Sequence, residues 1–191
     1  MPTTTPPPST EPHARASVVH GFRAAVLDLK GEEALTRLAA RLPLAARTTT
    51  VDALLLPFEW IPIPHVMAWH EALWNDTCAA DEQELARLIG RSIGLGLGRF
   101  KSAFFHALTA DRLVARAHDL WRWQHTHGDV TTRVEGGTGV VTLKGHPYVD
   151  NPVSRRVTAE SYRQIVTIAG ARDVHVAWGG TRELTVHLSW R

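Results

Sequence analysis

The spacing of apolar residues changes once in this chain, near Gly128, and no other feature of the sequence constrains the fold as strongly. Before that point apolar residues recur every third or fourth position, as a helix with one buried face requires. After it they alternate with polar residues, as a half-buried strand requires. In the first part, Ala24, Ala25, Leu27 and Leu29 are followed by Leu35, Leu38 and Leu42. Gly31 divides them into two short helices, and Pro43 closes the second because it has no amide hydrogen to donate. Val51 to Leu56 is apolar without a clear period. Pro57, Pro62 and Pro64 exclude a helix interior before about residue 64, where Pro64 suits a first turn leading to Met67, Trp69, Leu73 and Trp74. Asp81, with Glu84 behind it, marks the start of a long helix carrying Leu85, Leu88, Ile89, Ile93, Leu97, Phe100, Phe104 and Phe105. Thr109 starts another, through Leu113, Val114, Leu120 and Trp121, which Gly128 closes.

In the second part, Val130, Thr132 and Val134 alternate, Gly136-Gly137 turns the chain, and Val140 to Lys144 returns as a hairpin. GHPYVDNP leads into a helix with Asn151 as its cap and Pro152 in its first position. Val157, Ile165 and Ile168 are its buried stripe and Gly170 its end. Val174, Val176 and Trp178 then face one way, and Leu184, Val186, Leu188 and Trp190 do the same on the return. The expected fold class is α+β. A mainly helical part, residues 17–128, precedes a four-stranded antiparallel sheet over residues 129–191, in the order strand-strand-helix-strand-strand. Residues 1–16 are Thr, Pro and Ser with little to bury and are expected as a disordered tail, leaving 17–191 as one domain.

Composition excludes several function classes. A chain of 191 residues buries roughly 70% of its extended surface on folding, so its core needs neither metal nor disulfide. A net charge of +2 is close to balanced and gives no reason to expect nucleic acid as a partner. Cys78 is the only cysteine, so no intrachain disulfide forms. The start of the chain lacks a secretory pattern, and no apolar run reaches the ~20 residues that span a bilayer, so no membrane span and a cytoplasmic location are expected.

No serine, cysteine or paired carboxylate has the local surroundings of a catalytic group, and no catalytic residue is expected. Gly90, Gly94 and Gly98 recur along the long helix without the preceding strand that a phosphate loop requires. Each costs roughly 1 kcal/mol relative to alanine, which close helix–helix approach offsets. His118 and His125 share a helix face with His127 just beyond, but a tight divalent site needs more ligands. No metal is expected there, only a solvated helix end where a cationic imidazole suits the dipole. His175 and His187 lie on the polar face of the last hairpin. They are opposite each other if the loop is Gly179 to Glu183, whereas a shorter loop puts Thr185 opposite His175. Arg155-Arg156, near a helix start where cations are disfavoured, reads as surface or as a contact for an acidic partner. Large aromatics gather in the helical part. They are core by default, and with the glycine row they also suit the walls of an apolar cavity between helices and sheet. Trp69, Gly94, Phe100, Phe104, Trp121 and Trp178 are the candidate ligand contacts.

The segments LLLPFEWIPIPHVMAWHEAL, IGLGLGRF, LVARAHDLWRWQHTHGDV, VVTLKGHPYVDNP and ELTVHLSW, in that order, resemble an uncharacterised bacterial family abundant as paralogues in myxobacteria. Members of that family often carry a cysteine near the last strand, where this chain has Gly179-Gly180-Thr181-Arg182. The layout also resembles, more distantly, the haem–nitric-oxide-binding and four-vinyl-reductase superfamily. That resemblance implies an apolar ligand cavity between N-terminal helices and a C-terminal antiparallel sheet. In its haem members a histidine on the helix before the sheet binds iron, and a Tyr-x-Ser-x-Arg motif holds the propionates. The matching helix here is RAHDLWRWQ; the ligand position falls on Trp121, with His118 one turn earlier as the only substitute. NPVSRR does not match the propionate motif, so the resemblance implies the cavity but no cofactor, haem included.

Three functions are expected from this reading. The first is a non-enzymatic sensory or regulatory module that binds a small apolar ligand between helices and sheet. The second is a protein-interaction or homo-oligomerisation domain with a packed core and the glycine-faced helix as its contact surface. The third is a haem-type gas sensor using His118 or another histidine.

Overall fold

The structure is a computed structural model. It describes residues 10–106 and 108–191, and the side chains of all of these but 97–106. The first described element is a strand, β1 (His13–Arg15), inside the stretch 1–16 expected as a tail, of which residues 1–9 lie outside the described residues. It pairs antiparallel with β2 (Trp60–Pro62), His13 against Pro62 and Arg15 against Trp60. The prolines that exclude a helix before residue 64 keep β2 extended and available for pairing. Ala14 and Ala16 are fully buried, and Ala14 also bridges His125. Composition pointed to a tail; two small residues that fit between neighbours hold the segment in place.

The helices follow the apolar spacing. Gly31, with φ +82°, divides α1 (Ser17–Lys30) from α2 (Glu32–Arg41). Then come α3 (Leu44–Arg47) and α4 (Ile63–Ala72), each running into a wide π turn, Thr48–Asp52 and Leu73–Thr77. Asp81 caps α5 (Glu82–His106), its carboxylate accepting from the amides of Gln83 at 2.7 Å and Glu84 at 3.0 Å. The stretch expected as one helix after Thr109 is two, α6 (Ala110–Ala115) and α7 (Ala117–Gln124), with a break at Arg116.

Glycines let α1 and α5 approach closely. A Cβ on Gly21 would lie 2.8 Å from the Ser92 carbonyl oxygen, and one on Gly96 would lie 3.7 Å from the Gly21 Cα. Gly90 faces Gln164 of α8 (Pro152–Ile168), while Gly94 faces open space. Of the row, Gly90 therefore serves a contact inside this chain and Gly94 does not, while Gly96 just beyond it serves the contact with α1.

The period-two segments form one sheet in the order β3-β4-β6-β5, from β3 (Asp129–Glu135), β4 (Thr138–Lys144), β5 (His175–Gly179) and β6 (Leu184–Ser189). Val130 pairs with Leu143, Leu143 with Leu184, and Val141 with Val186, so the apolar sets share one buried face. In the second hairpin His175 pairs with Ser189 and His187 with Ala177. Neither expected arrangement of that hairpin occurs, and the two histidines are not opposite each other. Asn151 caps α8 by accepting from the Ser154 amide at 2.7 Å, a contact of about 1 kcal/mol. Arg155 donates to the carbonyls of Val149, Gly180 and Glu183, and Arg156 pairs with Glu82, so both cations at this helix start have partners within the chain. Among the described residues no helix is long and apolar enough to cross a membrane.

Candidate functional site

A cavity of about 200 Å³ lies among α1, α5, α7 and α8. Val18, Gly21 and Phe22 of α1 and Ser92, Ile93 and Gly96 of α5 form one side. Val157, Thr158, Ser161, Tyr162 and Ile165 of α8 form another, and α7 adds Leu120, Trp121 and Trp123. His70, His125 and Tyr148 complete the wall, and Tyr148 and His70 are only 3% and 2% exposed, which makes theirs the buried end. Among the described lining residues none belongs to a strand, so the cavity sits among helices and not, as expected, between helices and sheet.

Local sequence builds the buried end. Gly128, at φ +92°, turns the chain out of α7, and a Cβ there would come within 3.0 Å of the Trp121 indole nitrogen. The turn brings the His127 carbonyl to the Trp121 Nε1–H, which donates to it at 2.8 Å. The His125 ring then stacks on Trp121, with centroids 3.9 Å apart and planes 13° from parallel. His146 meets Trp121 edge-on at 4.9 Å, Tyr148 lies 4.4 Å from His146, and His70 lies 5.0 Å from Tyr148.

Polar atoms in this cluster are unevenly served. His70 Nδ1 is hydrogen-bonded to Ser154 Oγ at 3.0 Å, and His146 Nδ1 accepts from the Tyr148 amide at 3.3 Å. Both ring nitrogens of His125, Nε2 of His146 and the Tyr148 hydroxyl are buried without a hydrogen-bond partner among the described residues. Each such group costs about 1–3 kcal/mol. Burial lowers His70 and His125 to about 3 and His146 to about 2, nearby histidines adding to the effect on His70 and His146 and the Trp121 backbone, beyond hydrogen-bond geometry, opposing it at His125. These imidazoles are therefore neutral near pH 7, each with one nitrogen to donate and one to accept or to ligate. Burial also raises Tyr148 and Tyr162, which keep their protons. Among the described lining residues there is no Asp, Glu, Lys or Arg. Among the described residues no three donors gather as a metal site.

The residues singled out from sequence scatter. Trp121 is in the cavity wall. Trp69 is fully buried elsewhere, its indole donating to Thr50 Oγ1 at 2.8 Å. Gly94 faces open space, and Trp178 stands on β5 with Arg155 and Arg156 over its ring. The Phe100 and Phe104 side chains lie outside the described residues. His118, the suggested iron ligand, is half exposed beside Asp119 at 3.5 Å and does not line the cavity. His125, expected at a solvated helix end, is instead turned inward. The signal for this was its spacing of one turn from Trp121. His70 and Tyr148 carried no signal, because only the tertiary fold brings them together.

The chain is similar to solved structures of one kind. An H-NOX protein from S. oneidensis in the Fe(II) state aligns with a TM-score of 0.67 at 7% identity, covering 93% of this chain and 96% of that one. An oxygen-binding H-NOX domain related to soluble guanylate cyclases aligns with a TM-score of 0.65 at 8% identity, covering 93% and 95%. This chain has the H-NOX fold. A further neighbour, from work on haem redox potential modulated by porphyrin distortion, aligns with a TM-score of 0.63 at 9% identity, covering 92% and 99%. No family model matches the chain, and no curated protein matches it by sequence.

These neighbours overturn the expectation that no cofactor, haem included, belongs here. Haem was set aside because Trp121 occupies the matched ligand position and NPVSRR lacks the motif. At 7–9% identity a linear motif is a poor guide, because the same group can be held from another turn of the chain. The residues present meet one requirement of a haem site, a neutral imidazole with unpartnered ring nitrogens beside an apolar cavity, while the described lining holds no Lys or Arg to pair with the propionates. His125 has that chemistry and Trp121 fixes its plane.

Proposed function

We propose that this chain is a sensory module, without catalytic activity, that holds a flat and mainly apolar ligand in the cavity beside His125. The observation that carries this reading is the set of unpartnered atoms on His125 and Tyr148, which line the buried end. A packed interior pairs its polar groups or omits them. The aromatic walls of Phe22, Trp121, Tyr148 and Tyr162 suit a flat ligand. With the cavity imidazoles held at about 3, none is poised to move protons near neutral pH, as a general acid or base must be. Native mass spectrometry of the purified chain tests the reading. A bound small molecule is expected; an empty chain with no thermal shift on adding haem, fatty acids or isoprenoids would remove it.

Haem is the narrower reading, favoured by the fold neighbours and by the free nitrogens of His125. In that case His125 would hold the group and the stack on Trp121 would orient the imidazole. Phe22, Ile93 and Ile165 would keep water away. When bound, haem supplies an iron at which a further small ligand can bind. Absorption spectra during haem titration should develop a sharp Soret band that His125→Ala abolishes. A broad spectrum identical in both proteins would eliminate haem and leave the wider reading standing.

A further inference from the structure

The buried end of the cavity has a chemistry of its own. Tyr148 is 3% exposed and lines the cavity, and its hydroxyl has no partner among the described residues. His125 lines the same end with both ring nitrogens unpartnered, its ring edge-to-face with Tyr148 at 5.6 Å between centroids. We infer that Tyr148 and His125 form a recognition point for the head of a neutral aromatic ligand, a hydroxyl or ring N–H carried on a flat apolar body. The inference rests on the cavity being a ligand site and does not depend on haem.

Three observations set that ligand class. A phenolic hydroxyl both donates and accepts, so one group can serve an imidazole nitrogen and the Tyr148 hydroxyl together. A charged head is disfavoured, because the described lining offers no Lys, Arg, Asp or Glu and an unpaired buried charge is very costly. The body is aromatic because Phe22, Trp121 and Tyr162 present ring faces and edges, and because about 200 Å³ exceeds the ~150 Å³ of a dry cavity that admits benzene. A pure hydrocarbon would fill the space and leave the polar atoms unpaired, which separates this inference from plain apolar binding.

Calorimetric titration of the full chain with phenol, indole, toluene and benzoate tests it. Phenol and indole should bind, and benzoate should not. Tyr148→Phe should weaken phenol by roughly 5- to 10-fold, as loss of one buried hydrogen bond does, and leave toluene unchanged. If that variant does not fold, His125→Phe, which keeps a ring on Trp121, allows the same comparison. Toluene binding as well as phenol, with neither variant altering their ratio, would overturn the recognition point and leave the cavity reading intact. Haem binding without phenol binding would do the same. Failure of every probe, haem included, would overturn both.

Discussion

Leu188 on the face of the sheet and Tyr148 at the buried end of the cavity are almost equally hidden from water, yet their surroundings are built by opposite rules. Leu188 in the sheet is 2% exposed and Tyr148 in the cavity 3%. Val130, Val141, Leu143, Leu184, Val186 and Leu188 bring only hydrocarbon to their interior, and each square ångström removed from water contributes about 25 cal/mol. His125, Nε2 of His146 and the Tyr148 hydroxyl bring polar atoms that find no partner among the described residues, which works against folding. Burial alone therefore does not identify core. The pairing of polar atoms distinguishes the buried face of the sheet from the cavity end proposed as a site.

Acid should break the cavity end hardest. Burial holds His70 and His125 at about 3 and His146 at about 2, below the ordinary 6.5, so the unfolded chain takes up protons before the folded chain does. Their contribution is complete above about pH 6.5 and is lost as pH falls toward 3, by up to ~1.4 kcal/mol per pH unit for each histidine. Urea unfolding at pH 7 and pH 5 should differ by about 6 kcal/mol, about 2 from each of the three histidines. Equal stabilities would mean that these imidazoles are hydrated. On the sheet side, Leu184→Ala should cost about 3 kcal/mol by the same assay at pH 7, and a cost below about 1 would show that this face is loosely packed. Gly21→Ala forces a methyl group against the Ser92 carbonyl and should cost about 2 kcal/mol; no change would mean that α1 and α5 separate freely. Tyr148→Phe should stabilise the ligand-free chain by about 1 kcal/mol, because the buried hydroxyl it removes has no partner among the described residues. A large loss there would reveal a partner for that hydroxyl and erase the contrast between the two regions.

The same contrast explains what could be read from sequence. Alternation at Leu184, Val186 and Leu188 reports burial directly, so the strands and the helix between the hairpins are legible, whereas the same alternation at Val176 and Trp178 falls on an edge strand that leaves Trp178 exposed. Caps at Asp81 and Asn151 were legible too, since each lies beside the amides it serves. β1 was not, because its partner β2 is distant in sequence and Pro-rich. The cavity was the least legible part. Trp121 was visible as a large aromatic, but Trp69 and Trp178 look the same in sequence and lie elsewhere. His70 and Tyr148 become neighbours only after α4 and the segment before α8 have docked, and no local spacing announces that. Haem was discounted from a motif, whereas the relevant chemistry is an unpartnered imidazole that only the folded chain reveals.

The indole N–H signals of Trp121 and Trp69 report on the two kinds of interior in one spectrum, because Trp121 lines the cavity and Trp69 is fully buried against Thr50. Assigned nitrogen–proton NMR spectra during separate phenol and haem titrations should show the Trp121 signal moving or broadening to saturation with at least one of them while that of Trp69 stays in place. A Trp121 signal unmoved by both ligands, or moving only together with that of Trp69, would contradict the existence of a binding site beside His125.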